Sequence, residues 1–515
     1  MRALSQLFTQ AITRRLALSA HASYRHYSRL LITCLCLQGY SVTNAHGSDY
    51  ADILQQAMTR LPPGSLVAAV IRDPAGNALL SFNDEQLLTP ASTQKLLTAT
   101  AAHYQLGATF RFRTRLLQVG TNDAVLQFSG DPLFTREDLQ ALLAAGIAKG
   151  MPTTIRNIYL DDSRFSGHDW SDAQSWDNRN TCFAAPAAAI SLDHNCFKAT
   201  VAAGRAGQKA RASVARGLPI TIDSHASIVS RAEKKRLFCR LELRHRQRGL
   251  YELHGCVTAE QLPLTLKVAV VDPVYYTRTV IKKGAAALGI TITGDIRHGA
   301  PAQQGRVIAE HRSDRLTDYL ERMLQVSDNQ IADALFKTIG HDYYQVPGNY
   351  RNGAAAVRAV LLEQAEVDLR NSHLADGSGL SPHNQLSVTN LADTLAHIAT
   401  MEDRELFDAL PVAGVSGTLR YRYGFNKKPL KGNVRGKTGH LAGHYNLAGF
   451  LTDKQRQTLS FSIFVSGYSL TTARGLDNSD KSQHVRYFYE SLFTALQRQK
   501  NPFTAATPLI HDKPY

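Results

Sequence analysis

The stretch Pro90-Ala91-Ser92-Thr93-Gln94-Lys95-Leu96-Leu97-Thr98-Ala99 decides how the rest of the chain is read. Its pattern predicts a loop ending at Ser92 and a helix running on through Ala101 and Ala102, so that Lys95 lies one turn after Ser92 on the same face. A serine hydroxyl is a weak nucleophile at neutral pH until a base takes its proton, and a lysine amine does this when burial or a nearby cation lowers its pKa. The helix N-terminus also turns backbone N–H groups towards any negative charge that develops beside it. Alone, Ser-x-x-Lys is equally what an N-cap serine and a solvated first-turn lysine look like. Residues far along the chain decide between the two.

Two more motifs occur downstream, in order. Ser327-Asp328-Asn329 falls in a helical region with Ile331, Leu335 and Phe336, and Lys437-Thr438-Gly439 comes after a strand-like stretch and precedes Tyr445 to Leu451. Ser-x-x-Lys, Ser-x-Asn and Lys-Thr-Gly in this order are the signature of penicillin-binding proteins and serine β-lactamases. A second Ser-x-Asn, Ser81-Phe82-Asn83, precedes the nucleophile and is out of order. Around the motifs, Leu88 to Lys95, Ser327 to Asp333, Ala375-Asp376-Gly377-Ser378-Gly379-Leu380-Ser381 and Tyr445 to Phe450 resemble the D-alanyl-D-alanine carboxypeptidase/endopeptidase family of low-molecular-mass class C penicillin-binding proteins. Thr181-Cys182-Phe183-Ala184-Ala185-Pro186 with Asn195-Cys196-Phe197 is similar to the segment linking the inserted domains of that family.

The resemblance implies an α/β (α+β) fold: a penicillin-binding/serine β-lactamase-like transpeptidase domain with a nested α+β insert and a small β module. The 231 residues between Lys95 and Ser327 leave room for this nesting. The implied division is a signal peptide over 1–46, a catalytic domain over 48–107 and 305–515, the insert over 108–185 and 263–304, and the nested basic β module over 186–262.

It also implies roles. Ser92 attacks the carbonyl of the penultimate D-alanine, Lys95 takes its proton, and Ser327 with Lys437 passes a proton to the leaving amine. Asn329 holds the substrate amide, Lys437 and Thr438 meet the terminal carboxylate, and the backbone N–H groups of Ser92 and His440 form the oxyanion hole. Gly439, Asp177, Asn178 and Phe183 complete the implied substrate-binding set. The substrates are peptidoglycan stem peptides, β-lactams are covalent inhibitors, and no cofactor or metal is required. The chain departs from the family at His440, where Ser or Thr is usual; at Asn178, where Gram-negative relatives carry Asp; and at Pro382, where they carry Arg.

Other classes fit less well. A class A β-lactamase needs Glu-x-x-Leu-Asn to activate water, and no Glu here is so placed. An esterase would have no use for an anion-binding Lys437-Thr438, and a wall-binding protein with a vestigial site would not keep every reactive residue.

Composition and charge bound the rest. A chain of 515 residues exceeds one core and predicts about three domains. Arg2, Arg14, Arg15, Arg25 and Arg29 precede a short apolar run from Leu30 to Leu37, which predicts an export signal cleaved near Ala45 and a periplasmic location. Arg14-Arg15 is only faintly like a twin-arginine signal, and Cys34 and Cys36 lack the small residue that precedes a lipoprotein cysteine.

Export leaves Cys182, Cys196, Cys239 and Cys256, for which disulfides are favoured over a zinc site. Three connectivities are open, and the short loops favour Cys182 with Cys196 and Cys239 with Cys256. Loss of residues 1–46, with five Arg and no acid, takes the formal charge from +15 to +10. Residues 198–250 hold thirteen Lys and Arg against three acids, so they account for that whole excess. Outside the cytoplasm such a module points to wall polymer or a membrane surface, not nucleic acid. A merely solvated basic face is the alternative.

Coarser patterning predicts strands at Leu66 to Ile71 and Ala78 to Phe82, strands at Phe110 to Leu116 and Ala124 to Phe128, and a helix from Glu137 to Lys149. Glu310 to Arg315 reads as a polar connector. A strand at Leu459 to Val465 and a helix at Lys481 to Gln499 close the chain, with a loosely ordered tail beyond Asn501.

Overall fold

Alternation along one strand explains the main layers. In Leu66–Arg72, Ala68 and Val70 face one way, while Val67, Ala69 and Ile71 face the other, and all five are buried. The strand must therefore lie in the middle of a sheet covered on both faces. In the computed structural model, which describes residues 47–467 and 483–499, it is the fourth strand of a five-stranded antiparallel sheet. The order is Val434–Leu441, His444–Thr452, Thr458–Ser466, Leu66–Arg72, Ala78–Phe82.

One face packs on the helix Lys95–Leu106 and the helices Leu316–Val326, Asn329–Tyr344, Tyr350–Ala365 and Val388–Thr400, in a core that includes Leu97, Met323, Leu335 and Phe464. The other face packs on Gly47–Met58 and Gln483–Arg498 through Leu54, Phe461 and Phe493. Truncating a fully buried leucine such as Leu97 in such a core costs about 2–5 kcal/mol.

A second five-stranded sheet runs Ile296–His298, Asn157–Asp161, Asp123–Gln127, Arg113–Val119, Arg306–Arg312, and carries the helices Arg136–Ala148 and Pro273–Ala287 against its core. The expected connector at Glu310 to Arg315 is corrected here, because residues 306–312 form an edge strand antiparallel to 113–119. Glu310 lies opposite Arg115 and bonds to it at 2.9 Å, and that cross-strand partner is invisible in a local polar run.

The basic region is not purely β either. Residues Arg231–Leu237 form a short helix whose cap is reciprocal, with Ser230 and Glu233 bonding each other's backbone N–H. Strand Cys196–Val201 pairs with Leu264–Ala269, which ties this region to the second sheet's core through Phe197 and Tyr251. Disulfides join Cys182 to Cys196 and Cys239 to Cys256, the pairing that short loops favour. The expected signal, its cleavage near Ala45, and the tail beyond Asn501 lie outside the described residues. Among the described residues no helix is long and apolar enough to cross a membrane.

Candidate active site

Ser92 is not a helix cap. It sits inside a 3-10 turn, Ala91–Gln94, that rolls directly into the helix Lys95–Leu106, and Ala91 before it has a left-handed φ of 47°. Such a φ is uncommon for a residue with a Cβ. It is held by close packing on both sides. Gly379, at φ +76°, lies against the Ala91 carbonyl, where a Cβ would overlap it. On the other side a Cβ at Gly439 would fall 2.6 Å from Pro90 O and 3.1 Å from Thr93 N. This is why Lys-Thr-Gly ends in glycine: the edge strand Val434–Leu441 passes too close to the turn that carries Ser92 for any side chain.

Lys95 is fully buried, so the solvated reading of Ser-x-x-Lys fails. Its Nζ donates to Ser92 Oγ at 3.0 Å, to Asn329 Oδ1 at 2.6 Å and to the Ser378 carbonyl at 2.6 Å. Burial pulls the ammonium down from its ordinary 10.5 to about 8, against the opposing pull of Asp333, Asp376 and Asp328. Asp333, itself pushed up by burial and by Asp376, receives the Gly377 and Ser378 N–H groups at 3.0 and 2.9 Å and so fixes the carbonyl that Lys95 meets.

Ser327 is also not inside a helix, as the apolar pattern around it suggests. It is the left-handed residue, φ 60°, that ends Leu316–Val326, and Asp328 caps the next helix by accepting from Gln330 and Ile331 N–H. The break turns the Ser327 hydroxyl towards Lys437, whose Nζ donates to it at 2.8 Å. Lys437 is fully buried, and burial first, then the charge of Lys95, holds it well below its ordinary value.

Asn329 spans two parts of the molecule: its Oδ1 takes Lys95, and its Nδ2 donates to the Phe183 carbonyl at 2.7 Å. The Thr438 hydroxyl donates to the Thr418 hydroxyl at 2.9 Å, and the His440 ring packs on Tyr445 with centroids 4.5 Å apart.

Ser92, Ser327, Asn329, Asn178, Phe183 and His440 line one cleft of about 490 Å³, with Lys95 and Lys437 beneath its floor. Of the expected substrate-binding residues, Thr438, Gly439 and Asp177 are not in its lining, and Asp177 lies furthest from the expectation. It is exposed, accepts from Ser175 Oγ at 2.7 Å, and does not line the cleft. Pro382 does line it. Gln174, Leu441 and His444 join the lining with no motif to announce them, and Thr418 emerges only through its contact with Thr438.

One further residue has no sequence signal at all. Lys337, fully buried two turns along from Asn329, donates to the carbonyls of His168 at 2.9 Å and Ala187 at 2.8 Å. It also sits over the Tyr350 ring at 4.4 Å, and so pins both ends of the segment that carries Asn178 and Phe183. Among the described residues one group, His103, Asp403 and Glu405, has metal-type donor atoms within 4.8 Å of one another. It lies at the far end of the Lys95–Leu106 helix, where His103 Nε2 meets Asp403 at 3.1 Å, an ordinary ion-pair distance.

A buried lysine on one serine, a second on another, and an asparagine between them define a serine acyl-transfer site of the penicillin-binding class. Similarity to known proteins narrows this. The chain belongs to the D-Ala-D-Ala carboxypeptidase 3 (S13) family, whose pattern matches residues 49–486, and is a serine peptidase. It is 34% identical over 449 residues to the D-alanyl-D-alanine carboxypeptidase DacB of Haemophilus influenzae, covering 85% of this chain and 92% of that one. It is 28% identical over 432 residues to the D-alanyl-D-alanine carboxypeptidase of an Actinomadura species, covering 79% and 78%. The crystal structure of H. influenzae penicillin binding protein 4 superposes with a TM-score of 0.80 at 33% identity, over 87% of this chain and 99% of that one. The same protein has been crystallised with a β-lactam, and that complex matches with a TM-score of 0.76 at 32% identity over 87% and 99%.

Proposed function

We propose that the chain is a periplasmic DD-peptidase that cleaves the D-Ala-D-Ala end of peptidoglycan pentapeptides, or the D-Ala-diaminopimelate cross-link, through an acyl-Ser92 intermediate. The observation that carries this reading is the 3.0 Å hydrogen bond from a fully buried Lys95 to Ser92. With burial lowering Lys95 from 10.5 to about 8, the neutral amine is far more populated near neutral pH than in a solvated lysine, and it accepts the Ser92 proton as Oγ attacks.

The backbone N–H groups of Ser92 and His440 receive the oxyanion, and Ser327, bonded to Lys437, protonates the leaving amine. Water then hydrolyses the ester by the reverse route. Lys437 and Thr438 offer N–H and O–H donors to the terminal carboxylate, and Asn329 with Gly439 borders the backbone of the substrate. Asn178 and Phe183 face the side chain at the third stem position, where Asn178 stands in place of the Asp that Gram-negative relatives carry. β-Lactams, which carry the same amide and carboxylate, acylate Ser92 covalently.

The same reading places an export signal over 1–46 with cleavage near Ala45. It divides the mature chain into a catalytic domain (48–107 and 305–515), an insert (108–185 and 263–304) and a nested basic module (186–262) that touches the wall or membrane surface. Two disulfides are in keeping with export. The test is to assay purified mature protein for D-alanine released from a soluble pentapeptide and for cleavage of cross-linked muropeptides. Failure to turn over either, with intact fold, would overturn the proposal.

A further inference from the structure

The alternation Phe110-Arg111-Phe112-Arg113-Thr114-Arg115-Leu116 sets out a row of charge that the active site does not use. Phe112, Thr114 and Leu116 are buried, so Arg111, Arg113 and Arg115 all project from the opposite face. That face lines a cleft of about 810 Å³, to which Arg164, Arg312 and His341 also contribute.

The cations are poorly compensated. Glu310 bonds both Arg115 and Arg312, at 2.9 and 2.7 Å, while Arg113 and Arg164 have no carboxylate within ion-pair distance among the described residues. Arg113 and Arg312 lie directly opposite each other across the antiparallel pair, an arrangement of like charges that destabilises a sheet. Arg164 Nε is buried without an acceptor. Its charge is felt locally: burial first, then Arg164, lowers His341. A fold that only needed solubility would not gather five guanidiniums into one concavity, oppose two of them in register and bury the Nε of a third without an acceptor.

We propose that this cleft is an oxyanion-binding exosite that holds free carboxylates of stem peptides on the same wall polymer whose peptide bond the active site cuts. The planar guanidinium forks suit paired carboxylate oxygens. The helices Lys95–Leu106 and Asn329–Tyr344 run from the active site to Leu106 and His341 at this cleft, so one polymer segment can occupy both places. Binding a second stem raises the local concentration of the first without altering the chemistry. The identity of the polymer rests on the function proposed above, whereas oxyanion binding does not.

The test uses the mature protein, with citrate as the tricarboxylate probe and inorganic pyrophosphate as the phosphate probe, titrated calorimetrically at low ionic strength. Citrate is expected to bind wild type and Ser92→Ala alike, and to bind at least tenfold more weakly to Arg113→Gln/Arg312→Gln. The exposed triple variant Lys234→Glu/Lys235→Glu/Arg236→Glu should keep it. Because the double substitution relieves a like-charge pair, its Tm without probe should equal or exceed that of wild type, which a purely structural role for these arginines does not allow. Its kcat/KM on soluble pentapeptide should be unchanged, while digestion of intact sacculi slows at least threefold.

Unchanged citrate affinity in the double variant overturns the exosite. Pyrophosphate binding tenfold tighter than citrate, or unchanged digestion of sacculi, overturns the assignment to stem-peptide carboxylates. Loss of pentapeptide turnover in wild type with citrate binding intact would instead count against the proposed function alone.

Discussion

Lys95 and Lys337 are the same group in nearly the same physical setting. Both are fully buried, both touch the helix Asn329–Tyr344, and burial pulls both from 10.5 to about 8. Yet Lys95 meets a serine hydroxyl at the wall of an open cleft, whereas Lys337 meets two carbonyls and two aromatic rings. A lowered pKa therefore does not mark a base. What marks it is a proton donor within reach and a route for substrate, and Lys337 has neither. Its work is mechanical: it clamps the carbonyls of His168 and Ala187, between which Asn178 and Phe183 are presented to the cleft.

The largest effect should come from removing the reacting pair. Ser92→Ala should lose covalent labelling by a fluorescent penicillin, and Lys95→Met should lose about 10³-fold or more in acylation rate, with circular dichroism unchanged in both. Labelling that persists in folded Ser92→Ala would end the nucleophile assignment.

The next effect is in pH. A base must be unprotonated to act, so the acylation rate of wild type should climb about tenfold per pH unit below about 8 and level off above it. Lys337→Met should keep that limb in place, because its amine takes no proton from Ser92. A limb that moves with Lys337 would dissolve the distinction drawn between the two lysines.

Lys337→Met leaves the buried Ala187 carbonyl without this donor, which costs about 1–3 kcal/mol, and frees the more accessible His168 carbonyl to water. It should therefore lower Tm and raise KM for cross-linked muropeptides more than it lowers kcat on a small β-lactam. A loss confined to kcat would show that it acts on the chemistry instead. The smallest effect is expected at the exposed helix Arg231–Leu237. Reversing Lys234, Lys235 and Arg236 to Glu should weaken binding to sacculi at low salt only, since exposed charges are screened over about 8 Å at physiological ionic strength. Equal binding of variant and wild type across a salt series would leave that cluster a solvated face.

The same contrast separates what a sequence displays from what it hides. The three motifs are legible because acyl transfer fixes residue types at short spacings, and the strand Leu66–Arg72 is legible because burial on both faces leaves a continuous apolar run. Ser327 reads as helical because no glycine or proline marks the left-handed break; a serine takes it, and the surrounding pattern stays helical. Glu310 to Arg315 reads as a connector because the partner that makes residues 306–312 a strand lies almost two hundred residues earlier. Lys337 is silent for the same reason, as its two acceptors, the carbonyls of His168 and Ala187, lie 169 and 150 residues earlier. The arginine alternation at 111–115 is visible in the sequence, but the opposing Arg164 and Arg312 are not.

The two hydrogen bonds of the Asn329 side chain tie recognition to reactivity. One end of a single planar amide steadies the amine of Lys95, and the other end holds the Phe183 carbonyl at the rim of the cleft. An amide is rigid, so it cannot turn to greet a substrate carbonyl with Nδ2 without also rotating Oδ1 beneath Lys95. Any group that takes that donor from Phe183 should therefore also shift the contact between Oδ1 and Lys95. The Phe183 carbonyl thus fixes the orientation in which the Asn329 amide presents its oxygen to Lys95.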